Sequence, residues 1–136
     1  MTGQIARERF TKAIFELVDE TFDRVQGLYL DKGTSLFETL ATVSAAEASR
    51  PVSGRCASIA AQVEHTAFYL ETLERNMRGE QVGKVDWGAA WQTGAVDEAA
   101  WAALVQRLRD RQRSVLAVMR GFETWEGEND ISGALA

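Results

Sequence analysis

From Phe10 through Ala13, Ile14, Leu17, Val18, Phe22, Val25, Leu28 and Tyr29, apolar residues recur three and four positions apart, while Lys12, Glu16, Asp19, Glu20 and Asp23 fall mainly between them. That period is the mark of an amphipathic helix, and it predicts a first long helix over residues 4–31, ending near Asp31 to Gly33. Ser35 with Glu38, and Ser44 with Glu47, stand at capping-box spacing, in which serine and glutamate each accept an otherwise unpaired backbone N–H. Two short helices are expected there, over 36–43 and 45–49. Pro51, Ser53 and Gly54 make a break, after which a second long helix runs over 58–78 and stops at Gly79. Residues 79–96 carry Gly79, Gly83, Gly88 and Gly94 with Trp87 and Trp91, and read as a crossover that can lie over the end of a bundle. Asp97 occupies an N-cap position, and Trp101, Leu104, Val105, Leu108, Val115, Leu116, Met119 and Phe122 mark the buried stripe of a third long helix over 97–122. From Asn129 the chain begins like another helix, with Ile131 and Leu135 four apart, but only about one turn precedes Ala136. A single turn has little stability of its own. Strand-like alternation is absent, so the fold class expected is all-α, a bundle of helices.

With 136 residues the chain is expected to form one domain over 1–136 and to need no staples. Cys56 is the single cysteine, so no internal disulfide can form; together with the lack of an export signal this points to a cytoplasmic protein. Charges interrupt every apolar stretch, and no membrane span is expected. A formal charge of −5 argues against nucleic acid as a partner, because phosphate contacts need clustered Lys and Arg. Arg107, Arg109, Arg111, Arg113 and Arg120 form a local basic stretch that could meet an anionic ligand, although a solvated face with Asp110 and nearby acids as counter-charges is the favoured reading. The Glu-rich stretch from Glu123 to Asp130 lacks EF-hand spacing and reads as a solvated linker.

Candidate chemistry is sparse. No phosphate-cradling glycine loop, His-Glu-x-x-His helix or CxxC pair is present, and a serine triad would depend on His65, the only histidine, as its base. On a helical wheel His65 falls outside the arc of Glu64, Glu71, Glu74, Arg75 and Arg78. It shares a stripe with Ser58, Ala61, Phe68, Tyr69 and Thr72, residues without charge, so it faces neighbours instead of bulk water. Cys56 projects nearly opposite, which makes the two poor ligands for one ion. A lone inward histidine is most simply a hydrogen-bonded core residue, and a transition-metal site needs about three protein ligands. Trp87 and Trp91 could line a ligand cleft at the bundle mouth, though capping the core is the commoner role of such residues.

The stretches Ser35-Leu36-Phe37-Glu38-Thr39-Leu40, Arg50-Pro51 and Ser58-Ile59-Ala60-Ala61-Gln62-Val63-Glu64-His65-Thr66-Ala67, taken in order, resemble the DinB-like family, the YfiT-type damage-inducible and thiol-transferase-related proteins. The resemblance extends over nearly the whole chain. It implies a DinB-like four-helix bundle with a long crossover, commonly a homodimer, and a metal-dependent hydrolase or thiol-dependent transferase acting on a small-molecule or thiol substrate. It also implies a divalent transition metal, nickel, zinc or manganese, held by three histidines. His65 matches the one on the second long helix. The other two would form a His-x-x-x-His pair on a last helix, just beyond Ala136. Two expectations compete: a truncated version of a longer protein, which is favoured because three amphipathic helices without a fourth would leave an apolar groove, or a variant without metal that serves as a non-catalytic binding or oligomerisation module.

Overall fold

The computed structural model describes residues 3–123 and Trp125. The helical start after Asn129 lies outside these. The described residues are mostly helical, with five α-helices and one small two-stranded sheet, and the chain divides into two compact units, Met1–Thr42 with Phe122–Ala136 and Val43–Gly121.

In the first unit, α1 spans Arg7–Phe22 and α2 spans Leu36–Leu40. The sequence expectation of a helix continuing to about residue 31 is corrected here, because the chain leaves the helix after Phe22 and folds around a side chain. Glu20 is 0 % exposed, and its carboxylate accepts four backbone N–H groups: Gln26 (3.1 Å) and Leu28 (2.8 Å) on Oε2, Tyr29 (2.8 Å) and Leu30 (2.7 Å) on Oε1. Gly27, at φ 89°, supplies the left-handed residue that bends the segment round the oxygens. These amides thus take an ionised acceptor in place of helical carbonyls, a charge-assisted bond stronger than the neutral one it replaces. Leu28 and Tyr29, counted in the apolar stripe, are 53 % and 54 % exposed; Leu17 is also exposed, and Ile14 is buried. Glu38 closes the segment by accepting the Ser35 N–H and the Val25 N–H, and Ser35 Oγ lies 2.6 Å from it. Phe10 and Phe122 each meet Trp125 edge to face.

In the second unit, α3 spans Ala45–Ser49, β1 Pro51–Ser53, β2 Cys56–Ser58, α4 Ile59–Met77 and α5 Glu98–Arg120, with a 3-10 turn at Ala89–Trp91. Each long helix starts at a side-chain cap, Ser58 Oγ accepting from Ala61 N–H (3.1 Å) and Asp97 Oδ1 from Ala100 N–H (2.7 Å); α3 has its Ser44–Glu47 capping box. Gly79 at φ 76° ends α4, in the left-handed conformation that lets the chain leave a helix. The break at Pro51 is in fact a short antiparallel hairpin, Pro51 facing Ser58 and Ser53 facing Cys56. Cys56 is therefore an exposed strand residue.

The direction of the two long helices follows from the contacts between them. Glu64 pairs with Arg107 (2.7 Å), Glu71 with Arg111 (3.3 Å), and Glu74 accepts from Ser114 (2.7 Å). Partners advance together along both chains, so α4 and α5 run parallel. The 19-residue α4 rises about 28 Å at 1.5 Å per residue, and the crossover must return the chain over that length before α5 can start. Beneath the charged ladder Ala60, Ala67 and Leu108 are fully buried, with Val63, Leu104, Val115 and Met119 nearly so. Trp101 is buried, its Nε1–H donating to Val43 O (2.9 Å). Removing the α5 cap with Asp97→Ala is expected to cost about 1 kcal/mol, read as a lower urea midpoint with unchanged slope.

Candidate functional site

The face of α4 that carries no charge requires a partner, and the crossover supplies it. His65, Phe68, Tyr69 and Thr72 recur three, four and seven residues apart, one side of a helix, with Arg75 at its far edge. Val82 and Val85 lie beside the Thr72 and Arg75 end. Trp87 meets Phe68 edge to face (centroids 5.6 Å) and Tyr69 at a tilt (5.7 Å). Trp91, held by the 3-10 turn, stacks on His65 at 4.0 Å with the planes 19° apart. The crossover thus runs back along the length of α4, a difference from the expectation that it lies over a bundle end. Asp86 shapes its turn, Oδ1 accepting the N–H groups of Gly88 (3.1 Å) and Ala89 (3.2 Å).

His65 is half-buried, and its Nδ1 is buried with no hydrogen-bond partner among the described residues. The sequence reading of His65 as an inward residue agrees with this position, but a hydrogen-bonded core role does not. An imidazole nitrogen left dry and unpartnered costs free energy unless a donor or an ion meets it. The contact of His65 with Trp91 and Trp87 escaped the sequence reading. An uncharged α4 stripe, with two tryptophans four apart in the long connection that follows, was the signal for it. Trp87 and Trp91 remain 41 % exposed each, so they cap α4 while keeping part of each ring open.

Two arginines of the basic stretch of α5 find counter-charges on the neighbouring helix. Arg107 and Arg111 pair with Glu64 and Glu71 of α4, whereas Asp110 accepts from Gln106 (2.9 Å). Glu74 is the most embedded of the α4 acids: burial pushes its carboxyl up, and the bonds from Ser114 and Arg78 outweigh it and hold it below the ordinary carboxylate range. These groups tie α4 to α5.

A divalent metal needs about three donors. His65 Nδ1 fits as one, but no group of three His, Cys, Asp or Glu that could hold an ion occurs among the described residues, so these residues alone do not make the site. Among them, too, no helix is long and apolar enough to cross a membrane. No protein-family model, curated protein or solved structure matches the chain.

Proposed function

We propose that this chain is a DinB-like, metal-dependent enzyme, a hydrolase or a thiol-dependent transferase, in which His65 contributes one ligand to a divalent transition metal. The observation that supports this reading is the buried, unpartnered Nδ1 of an imidazole whose ring stacks on Trp91. Two parallel helices joined by a long crossover also suit such a bundle. The remaining ligands would come from outside the described residues or from a second copy of the chain. When bound, such an ion polarises a substrate or activates a thiol or water. The protein's own contribution is orientation, since stacking on Trp91 fixes the plane of the imidazole.

Metal content tests it. Untagged protein purified without chelator is expected to carry near-stoichiometric nickel, zinc or manganese by mass spectrometry, and His65→Ala and His65→Gln, both still helical by circular dichroism, are expected to carry none. A metal-free parent protein, or metal retained in both variants, overturns the reading.

A second reading rests on the stacking itself. An imidazole stacked on a tryptophan also suits a non-catalytic helical binding or oligomerisation module, in which the His65 and Trp91 pair holds the crossover on α4. Sedimentation of the parent protein and His65→Ala separates this case, because a module that assembles through this region loses its homodimer with the stack and has no metal to lose.

A further inference from the structure

Between α4 and the crossover lies a cavity of about 300 Å³, at the small end of the range that binds a ligand. It adjoins the aromatic cluster through Phe68 but does not include His65. Its apolar wall is Phe68 with Val82 and Val85, and its rim carries two acids and two bases, Glu71, Asp86, Arg75 and Lys84.

Three of those four are matched within the protein. Glu71 faces Arg111 (3.3 Å), and Arg75 Nε donates to Glu80 (2.9 Å). Asp86 Oδ1 faces two amide N–H groups of the turn. Lys84 has no hydrogen bond or ion pair among the described residues, and the terminal nitrogens of Arg75, beyond the Nε already used, are likewise without a partner there. The unused hydrogen-bonding capacity of the rim's bases is therefore cationic and donor-only, and it stands beside an aromatic wall.

We propose that this cavity binds a small monoanion with a planar apolar body, such as an aromatic carboxylate, whose ring lies against Phe68 and the two valines and whose charged group meets Lys84. Neither His65 nor a metal takes part. Arg75 offers a second donor to the same oxygens. A cationic ligand of the same shape would meet Lys84 as a like charge, while Glu71 already faces Arg111 and Asp86 Oδ1 the two turn amides.

The probes are 1-naphthoate and, as its cationic counterpart, 1-naphthylmethylammonium, titrated into the full chain and followed by amide nitrogen–proton correlation spectra. Saturable shifts are expected at Thr72, Lys84 and Val85 with naphthoate. The cation is expected to bind at least about tenfold more weakly, the scale on which one misplaced charge separates ligands. Lys84→Glu, a change at an exposed residue whose fold circular dichroism checks, is expected to weaken naphthoate about tenfold or more, and Lys84→Arg to retain it. Equal binding of both probes, binding untouched by Lys84→Glu, or no saturable shift at these three amides overturns the proposal.

Discussion

Glu20→Gln is expected to release residues 24–31 from their folded course and to lower the melting temperature by about 10 °C, the scale of several lost charge-assisted bonds in a domain of this size. The substitution is nearly isosteric, so packing alone predicts little change. Chemistry predicts otherwise. Each carboxylate oxygen accepts two backbone N–H groups, and glutamine replaces one oxygen with an NH2 that points donor at donor. Two part-buried amides would then face a donor in place of their acceptor, and the remaining two would lose the charge of theirs. Amide hydrogen exchange at Leu28, Tyr29 and Leu30 is expected to accelerate far more than exchange in α5. Unchanged protection at those three amides would show that the carboxylate does not organise the segment.

The same carboxylate sets a pH dependence. Burial pushes the Glu20 carboxyl up, but the N–H groups of Leu30, Tyr29, Leu28 and Gln26 outweigh it and bring it from the ordinary 4.5 down to about 2. A depressed folded-state value means that the folded protein binds the proton less readily than the unfolded chain does. Its stabilisation is therefore complete above about pH 4.5 and is lost as the pH falls towards about 2. Glu38, held low first by the Ser35 hydroxyl, and Glu47, held low by Ser44, act in the same direction. Parent protein and Glu20→Gln are expected to converge in stability as the pH is lowered through this window.

What the sequence made legible was local chemistry. Ser44 with Glu47, Asp97 and Gly79 announced their helix ends because a cap is decided within four residues, and each stands where the spacing put it. The start expected near residue 58 also holds, and the structure adds that Ser58 caps α4. Contacts made across the chain were harder. Glu20 reads as one more acid on the polar side of α1, and nothing within a helical period of it reveals that amides six to ten residues later turn back to its oxygens. Val25, Leu28 and Tyr29 keep the helical rhythm by accident of spacing while the backbone there does something else. The hairpin at Pro51 and Cys56 is too short for alternation to register. His65 was legible as an inward residue, but its covering by Trp91 depends on the direction of the crossover. That direction is fixed only by α4 and α5 running parallel, a property carried by the pairing of Glu64, Glu71 and Glu74 with a helix some forty residues away.

That parallel packing also sets the second large effect. Leu108 is 0 % exposed, and the Glu64 to Arg107 pair places it level with the stretch of α4 that includes the buried alanines Ala60, Ala61 and Ala67. Small residues allow two helices to approach closely, but they bring no flexible side chain able to move into a space once it is opened. Leu108→Ala is therefore expected to fall in the upper half of the usual range for such truncations, about 3 to 5 kcal/mol, against a total stability of about 5 to 15 kcal/mol for a domain. Leu108→Met, which conserves volume, is expected to cost less than about 1.5 kcal/mol. Ala67→Leu alone should destabilise through overpacking by about 1 to 3 kcal/mol. If the two positions share one space, Ala67→Leu combined with Leu108→Ala recovers part of both losses, and urea denaturation of the four proteins gives the coupling directly. Strict additivity would separate the positions and with them the helix register deduced from the ion pairs; recovery would fix that register from inside the core, independently of any charge.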